Sequence, residues 1–306
     1  PPRSTLFPYT TLFRSVIQPS YQEMIVIPDK TKEVFICTYN VNEENGTYQT
    51  KAVNSNNEEI LTGYDQIEAL DNMDKNGNVW YEKNVLRVKK NGKYGLIDLL
   101  GKEILPVEYD EITVLDGTEN SILTKKADKI GLVNDTGSII IECNYKEIKK
   151  LGDTYKDGYI TIDEQGKYGV ISATKKQILD NKYDEISQVA LKEYYQVKED
   201  EKVKLINSKG ETVIENGFDQ IKSVTTNGII FEKNNLFGEM NTSGEMVLEA
   251  VYQDLKEANN GIYIAKQNDK YGIIDNVGNI QIPFEYQIIT YNEKAKLFLA
   301  DDSEYK

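Results

Sequence analysis

The chain has 306 residues and carries 36 Lys and Arg against 50 Asp and Glu, which gives a net charge of −14 at pH 7. It contains no His, which excludes a Ser-His-Asp triad, a Cys-His pair, an imidazole base and a His metal ligand. The chain is acidic and lacks the basic patch that nucleic-acid binding requires. No apolar run approaches the roughly 20 residues of a membrane-spanning helix. We therefore expect no nucleic-acid partner and no membrane insertion by the residues present.

Residues 1–15 do not read as part of the fold. The stretch from Thr5 to Ser15 resembles the in-frame translation of a sequencing-library adapter, and residues 1–15 hold two of the three Arg in the chain. Such segments are set aside before fold reasoning. We predict that residues 1–15 are a non-native, adapter-derived segment, that residues 16–306 form one β domain, and that the native N-terminus with any signal or anchor is missing.

The rest of the chain is internally repeated, and repeats decide a fold before any other signal. The segment from Val85 to Ile112 recurs with substitutions of similar kind, and the last six copies of its tail aromatic are 34 to 38 residues apart. We predict a truncated unit to about residue 24, seven fuller units over about 33–290 and a C-terminal strand over about 295–300. The tail aromatics are Tyr21, Tyr64, Tyr109, Tyr145, Tyr183, Phe218, Tyr252 and Tyr286.

Turn chemistry places four strands in each unit. Asn91-Gly92 is a strong signal for a two-residue hairpin, and Asp98 to Gly101 has an Asx residue to start a second turn and a Gly for its left-handed position. Pro106 is expected to end the third strand because it has no N–H to donate. In the unit chosen as the example, the predicted strands are Val85 to Lys90, Lys93 to Asp98, Glu103 to Leu105 and Tyr109 to Leu115.

Burial follows from the alternation within the second strand. Tyr94 and Leu96 point to one face, and Gly95 and Ile97 point to the other, so both faces must be covered. Small sheets stacked face to face meet this requirement. The predicted class is all-β, a tandem repeat of short antiparallel four-stranded units of about 35 residues. A β-propeller-like arrangement is favoured, with an open curved β-repeat array as the alternative.

The aromatic-Gly step at the centre of each unit resembles the WG (or KWG) repeat of bacterial repeat proteins, in which the aromatic is Trp or Tyr. The step stands at Tyr94-Gly95, Tyr168-Gly169 and Tyr271-Gly272, and the pattern departs at Ile130-Gly131, Phe237-Gly238 and Val203-Lys204. The resemblance covers essentially residues 16–300. It implies a binding or scaffold module without a defined chemistry, often in proteins with an N-terminal signal or membrane anchor, so a location at the cell surface or outside the cell is expected.

Two aromatic residues, Trp80 and Tyr81, are the candidate binding residues. Trp80 is the only Trp in the chain, and both lie in residues 71–84, which read as an insertion into the repeat. Insertions in repeat proteins map to loops on one face and often carry binding. The alternative role is to cover an exposed core edge.

The other side chains that could carry chemistry read as structural. The aromatic-Gly steps could stack on sugars but are expected to pack in the core, and the Gly is expected to admit a close neighbouring backbone. The Asx residues that start turns supply one oxygen each, far fewer than a calcium site needs. Cys37 and Cys143 are expected to be buried free thiols, with a disulfide between them as the alternative. We predict no cofactor and no metal site.

Carboxylates recur just after the third strand of each unit, and they keep a hydrolase open as an alternative because glycosidases use two carboxylates at a defined separation. They are Glu108, Asp110, Glu111, Glu147, Asp184, Glu185 and Asp219. The topology puts them at the rim that also carries the Lys-rich hairpins, so a belt of solvated ion pairs is expected. No single unit stands out as an unusual constellation. The leading hypothesis is a non-enzymatic binding or scaffolding module for a protein or glycan surface, with a structural spacer domain as a further alternative.

Overall fold

The computed structural model describes residues 21–27, 34–189, 194–215 and 217–303. These residues form 30 β-strands and one short 3₁₀-helix, Tyr155–Asp157. The chain divides into two compact units, one up to residue 159 together with 173–175, and the other over 160–172 and 176–306.

The strands up to the end of the first unit are β1 Glu23–Ile27, β2 Val34–Asn42, β3 Thr47–Val53, β4 Glu59–Ile60, β5 Gln66–Met73, β6 Val79–Lys90, β7 Lys93–Ile97, β8 Glu103–Tyr109, β9 Glu111–Val114, β10 Ile122–Lys126, β11 Lys129–Val133, β12 Ile139–Tyr145 and β13 Glu147–Lys150.

The remaining strands are β14 Tyr159–Ile162, β15 Tyr168–Ile171, β16 Gln177–Tyr183, β17 Glu185–Gln188, β18 Tyr194–Glu199, β19 Lys202–Asn207, β20 Thr212–Ile214, β21 Gln220–Val224, β22 Ile229–Lys233, β23 Leu236–Met240, β24 Met246–Tyr252, β25 Asp254–Asn259, β26 Ile262–Gln267, β27 Lys270–Asp275, β28 Ile280–Tyr286, β29 Ile288–Asn292 and β30 Leu297–Asp301.

Consecutive strands form each sheet, four at a time in all but the last. The described residues contain seven four-stranded sheets, here called the first (β1–β4) to the seventh (β25–β28), and a two-stranded eighth sheet (β29–β30). The pairings within them are antiparallel. The all-β class with repeated four-stranded antiparallel units is thereby confirmed. No sheet of the described residues combines strands from the two ends of the chain, so the strand pairing is that of an open series and not of a ring closed through a shared sheet.

The hydrophobic core is divided into layers between consecutive sheets. Ile97 packs toward the first sheet, in a cluster with Ile36 and Leu86, whereas Leu96 packs toward the third sheet, in a cluster with Ile112 and Ile122. The predicted two-sided burial of this strand is therefore present. The second, sixth and seventh sheets each contribute one face to each of two neighbouring layers.

The sequence repeat and the sheet are out of phase by one strand. The predicted fourth strand of the example unit, Tyr109 to Leu115, was assigned to the wrong sheet, because its β-segment, β9, pairs with β10 as the first strand of the next sheet. The chain changes sheets at Asp110, whose backbone N–H donates to the Lys125 carbonyl at 2.8 Å. Each sheet consequently takes its first strand from the preceding sequence repeat.

Pro106 lies within a strand and does not end it. β8 continues to Tyr109 because it is the edge strand of the second sheet, where the missing N–H of a Pro breaks no ladder hydrogen bond. Its register shifts opposite β7, from Leu96 facing Leu105 to Tyr94 facing Tyr109. The resulting bulge brings the backbone of Val107 against Gly95, where an added Cβ would lie 2.9 Å from the Val107 Cα.

The same close approach recurs at the other Gly residues of the aromatic-Gly steps. An added Cβ would lie within 2.8 Å of a carbonyl oxygen of the neighbouring bulged strand at Gly131, Gly169, Gly238 and Gly272. The repeat Gly is therefore required by a neighbouring backbone, as predicted. The aromatic residues before it, Tyr94, Tyr168 and Tyr271, are only half-buried, and Tyr94 and Tyr271 pack against core layers. Four of the eight tail aromatics are buried, namely Tyr109, Tyr183, Phe218 and Tyr252, and the other four are half-buried.

The predicted Asx turns are confirmed. Asp98 Oδ1 accepts the backbone N–H groups of Leu100 at 2.9 Å and Lys102 at 2.8 Å, and Gly101 has a φ of +86°. The equivalent Gly residues are also left-handed, and they are Gly137, Gly210, Gly244 and Gly278. The turn that Asp163 starts has the same form, which the sequence comparison missed.

Residues 71–84 are a strand extension and not an inserted loop. β5 and β6 continue past a register shift, so that Asp71, Asn72 and Met73 pair with Tyr81, Trp80 and Val79. The residues between these strands form a tight turn in which Asp74 accepts the backbone N–H of Asn78 at 2.9 Å. The extension gives the second sheet a projecting hairpin.

Candidate functional site

Trp80 and Tyr81 lie on the projecting hairpin of the second sheet, and both are half-buried. Tyr81 packs against the core layer between the first and second sheets. This contact favours the covering role for Tyr81. A role of Trp80 and Tyr81 in binding stays a prediction.

A buried polar cluster lies beside these aromatic residues. Asn72 donates from Nδ2 to the Thr118 carbonyl at 3.1 Å and accepts the Gly117 N–H at 2.9 Å on Oδ1. Glu82 is 4% exposed, and its Oε2 accepts the Asn120 N–H at 3.3 Å. Burial raises the pKa of Glu82, although the Asn120 N–H acts in the opposite direction. The cluster fixes the connection between β9 and β10, so its role is structural.

The carboxylates between consecutive sheets are built into the hairpins. Asp65, Asp110, Asp184 and Asp219 each occupy the residue after a tail aromatic, and each accepts a backbone N–H from the β-hairpin of its own sheet. For Asp110 the donor is Ala127 at 2.8 Å. These carboxylates therefore hold the hairpins at the rim in place, whereas the sequence analysis expected them only to form ion pairs.

Lys side chains complete the predicted belt of ion pairs. Lys93 pairs with Asp110, Lys126 with Glu108 at 3.0 Å, and Lys167 with Asp184 at 2.6 Å. The hydrogen bonds from Lys93 and Lys167 hold the pKa values of Asp110 and Asp184 below their usual range. Glu111, Glu147 and Glu185 are exposed on the first strands of the following sheets.

A cleft of about 400 Å³ lies between the first and second sheets. At its base Arg87 donates from Nε and Nη2 to Glu68 Oε2, at 3.0 and 2.6 Å, and the Tyr48 hydroxyl donates to Glu68 Oε1 at 2.6 Å. Arg87 Nη1 also donates to the Ile112 carbonyl at 2.6 Å. Mainly because of its hydrogen bond to Glu68, the pKa of Tyr48 rises to about 12. Polar groups at the base are thus held in place before any ligand arrives.

The walls of this cleft combine apolar and acidic groups. Ile25, Ile36 and Val41 line one side, while Glu23 and Asp71 stand exposed at the opening. Together with Glu68 the lining has three carboxylates against the single guanidinium of Arg87. The net charge of 1 − 3 = −2 favours cationic or neutral ligands over anionic ones.

Equivalent clefts lie between other consecutive sheets. One of about 400 Å³ separates the fifth and sixth sheets, and one of about 460 Å³ separates the seventh and eighth. Each again has three carboxylates and one cationic side chain, Lys198 or Lys256. In each of these sheets, one residue on the second strand pairs with the residue that follows the repeat Gly position on the third strand. That residue is Arg87 in the second sheet, Gln196 in the fifth and Ile264 in the seventh, and all three line their cleft.

One repeat carries a buried carboxylate that breaks the symmetry, contrary to the expectation that no unit stands out. Glu239 follows the repeat Gly, where the other repeats place an aliphatic residue such as Leu96 or Ile273, and it is 0% exposed. Its Oε1 accepts the hydroxyls of Tyr263, at 2.9 Å, and Thr225, whereas Oε2 has no hydrogen-bond partner among the described residues. Burial is the main reason that the pKa of Tyr263 rises to about 12. Aligning the repeats at the residue after the Gly reveals this substitution.

The remaining predictions concern thiols, metals and membranes. Cys37 is buried and Cys143 half-buried, and both are free. Within the described ranges, no group of three or more Cys, Asp or Glu side chains is arranged to hold a metal ion. In the same part of the chain, no helix is long and apolar enough to cross a membrane.

The family comparison returned one repeat. The model of the WG containing repeat matches residues 94–117, 130–168 and 237–271. These segments include the steps at Tyr94-Gly95, Ile130-Gly131, Phe237-Gly238 and Tyr271. Two of the matches therefore fall on units that depart from the aromatic-Gly pattern. Among curated proteins, no match was found.

Several solved β structures are similar to the chain at low sequence identity. The WD40 beta propeller domain of Doa1 is 11% identical with a TM-score of 0.25, over 81% of this chain and 87% of that one. Apo AztD from Citrobacter koseri is 13% identical with a TM-score of 0.30, over 64% and 60%. The extracellular domain of the hybrid two component system BT4673 from B. thetaiotaomicron is 10% identical with a TM-score of 0.31, over 87% and 44%. At these TM-scores the similarities carry no argument about ligands.

Proposed function

Because the chain is a WG-repeat protein built from successive four-stranded sheets, we propose that it is a non-enzymatic binding module whose inter-sheet clefts receive basic side chains of a partner protein. The observation that carries this proposal is the repetition of one cleft with a varied base. Arg87, Gln196 and Ile264 occupy equivalent positions. A scaffold that repeats one cleft with variable contact residues is suited to recognising an extended surface.

The charge of the clefts supports the choice of partner. Each of the three clefts has three carboxylates and one cation, so a Lys or Arg side chain can place its alkyl stem on the apolar wall and its charge at the opening. Several such contacts on one surface raise the apparent affinity although each is weak. A nucleic acid or other polyanion is disfavoured by the same charges.

The hydrolase alternative has less support. Asp110 and Asp184 are engaged by backbone N–H groups and Lys side chains, which is the environment of a structural carboxylate. A proton donor in glycoside hydrolysis needs the opposite environment, one that raises the carboxyl pKa. We also propose a location at the cell surface or outside the cell. Fractionation of cells that express the intact gene, with detection of the protein in each fraction, tests this location.

The test is isothermal titration calorimetry of the full chain with decalysine and with a neutral hexasaccharide, each at two salt concentrations. The exposed carboxylates Asp71, Glu201 and Glu293, one in each cleft, are changed to the corresponding amides singly and together. Each single change is expected to weaken decalysine binding by about 1.4- to fivefold, since exposed pairs contribute roughly 0.2–1 kcal/mol. The triple variant should lose the product of these factors, and added salt should weaken binding.

A matched control changes three carboxylates that are also exposed but lie outside the clefts, Glu44, Glu103 and Glu249, to the corresponding amides. If the control weakens decalysine as much as the triple variant, the attraction is general and the cleft proposal is wrong. Tighter, salt-independent binding of the hexasaccharide would replace the basic partner by a glycan. Turnover of the hexasaccharide that Glu108→Gln abolishes would favour the hydrolase.

A further inference from the structure

The fifth sheet lacks the aromatic-Gly step of the repeat. Its third strand carries Val203 where the seventh sheet has Tyr271, and Lys204 where the seventh sheet has Gly272. The register fixes this equivalence, because in both sheets the Asx turn begins four residues after the aromatic position. Val203 packs against the core layer between the fifth and sixth sheets. This layer therefore lacks a ring that other sheets supply.

The missing ring coincides with a cleft. Val203 lines the cleft of about 400 Å³ between the fifth and sixth sheets. The first sheet shows the same association, because Thr50 and Lys51 stand at the positions of the aromatic and the Gly. Thr50 lines the cleft of about 400 Å³ next to the second sheet. In both sheets, space opens beside the position that has lost its aromatic side chain.

Lys204 keeps the third strand of the fifth sheet uncovered. At the equivalent Gly272, an added Cβ would lie 2.7 Å from the Ile282 carbonyl oxygen, so a Lys there is incompatible with the bulged fourth strand. The fourth strand of the fifth sheet, β20, has three residues against seven in β28, and it pairs with Leu205 and Ile206. Among the described residues, β20 does not reach Val203.

The seventh sheet shows what surrounds the ring where it is present. Lys266 Nζ lies 5.8 Å from the centroid of the Tyr271 ring, and the Tyr271 hydroxyl donates to Asp254 Oδ2 at 3.2 Å. Asp254 and Lys266 pair with each other on the first and second strands. The fifth sheet has Glu185 and Lys198 paired at the same two positions, and both line its cleft. A cation for a ring face and a carboxylate for a hydroxyl are thus in place around a position without a ring.

We propose that the cleft between the fifth and sixth sheets binds a tyrosine side chain of the partner protein, with its ring on Val203 and beside Lys198 and its hydroxyl donating to Glu185. The inference rests on the proposed function for the existence of a partner protein, and it adds the residue type that this cleft recognises. A phenol suits the cleft better than an aliphatic side chain, because Lys198 gains a cation–π contact and Glu185 gains a hydrogen bond. Basic residues next to the tyrosine meet the exposed carboxylate of Glu201 at the same cleft.

The probe is the peptide acetyl-Lys-Tyr-Lys-amide, compared with acetyl-Lys-Leu-Lys-amide, in NMR titrations of the full chain with labelled Val methyl groups. The ring current of the Tyr peptide is expected to shift the Val203 methyl resonances upfield, and the Leu peptide should not produce this shift. We expect the Tyr peptide to bind at least about threefold more tightly. Replacing its Tyr by Phe should weaken binding by about two- to tenfold, because the hydrogen bond to Glu185 is lost.

Lys198→Gln should reduce the preference for the Tyr peptide over the Leu peptide by about two- to fivefold, because the cation–π contact is lost. The matched control is Lys266→Gln, which should keep the preference because the ring position beside Lys266 is already filled by Tyr271. Val203→Tyr supplies the ring within the chain and should abolish the preference. Melting curves of the three variants establish that they fold.

Equal affinities of the Tyr and Leu peptides, or Val203 methyl resonances that the Tyr peptide leaves in place, would overturn the inference. A preference that survives in Val203→Tyr would also overturn it, since the ring would then bind elsewhere. Decalysine separates this result from the proposed function because it carries no ring. Decalysine binding without a preference for the Tyr peptide would contradict the inference alone, whereas a Val203 shift without decalysine binding would support the inference and contradict the proposed basic contacts.

Discussion

A carboxylate in this protein takes its role from its immediate neighbours. Asp110 and Asp184 are exposed and bind backbone N–H groups and Lys side chains, so their charged forms are favoured. Glu82 and Glu239 are buried, and each has one carboxylate oxygen without a hydrogen-bond partner among the described residues. For Glu82, burial raises the pKa of the carboxyl.

Glu82 provides a prediction with a defined sign. A carboxyl whose pKa is higher in the folded state than in the unfolded state adds stability at low pH, and this contribution is lost as the pH rises above the unfolded value of about 4.3. Glu82→Gln removes the charge and keeps an oxygen for the Asn120 N–H. We expect a higher urea midpoint than wild type at pH 7 and no difference at pH 3.5. Glu111→Gln, at an exposed position of β9, is the control, and a lower midpoint for Glu82→Gln at pH 7 would contradict the argument.

At the scale of strands and turns, the Asx turn is the most regular element of the repeat. The Asx side chain accepts two backbone N–H groups and the Gly takes a positive φ. The turn also lies on the preceding sheet, at a distance that differs between repeats. Local geometry is therefore shared, while the tolerance to a larger residue is set by the neighbouring sheet.

Gly101 of the second sheet and Gly137 of the third sheet separate these two effects, the cost of the left-handed conformation and the cost of crowding against the neighbouring sheet. Both have a positive φ, so Ala at either position costs about 1–2 kcal/mol from the left-handed conformation. An added Cβ at Gly137 would lie 2.3 Å from the Ile104 carbonyl oxygen, whereas at Gly101 the nearest atom is the Leu61 Cδ2 methyl at 2.9 Å, which can move. We expect Gly137→Ala to lose about 1–3 kcal/mol more than Gly101→Ala in urea unfolding, from overpacking. Equal losses would show that the sheet shifts freely.

Much of this element structure could be predicted from the sequence because its signals are local. Asn91-Gly92 and Asp98 to Gly101 specify their turns through residues within four positions of each other. The strand phase could not be predicted this way, because the partner of Glu111 to Val114 is chosen by packing between sheets. The site was hidden for the same reason: the cleft brings Tyr48, Glu68 and Arg87 together from three strands of two sheets.

At the scale of the whole molecule, charge governs how the protein meets other molecules and itself. The chain has a net charge of −14 at pH 7 and a sequence pI near 4.7. Self-repulsion keeps such a protein dispersed at neutral pH, and it disappears near the pI. Charge alone does not determine the fold, since the layers between sheets are apolar.

We expect the solubility of the full chain to pass through a minimum near pH 4.7, because the net charge there is close to zero. Turbidity measured from pH 3.5 to 8 checks this, and 0.5 M NaCl is the control condition because it screens repulsion at all pH values. A solubility minimum above pH 6 would indicate that association is controlled by something other than the net charge of the protein.

The one-strand offset between repeat and sheet has a consequence for how such a gene can change in length. Duplicating a stretch of the gene that is one repeat period long adds four strands, wherever the stretch begins. The duplicated stretch always includes one first strand, which the preceding sequence repeat encodes, and one each of the second, third and fourth strands. The copy on either side of the junction still finds a partner of the expected sequence. Recombination between repeats can therefore add or delete whole sheets without mispairing those that remain, and we expect the number of sheets to vary more readily among descendants than the structure of any one of them.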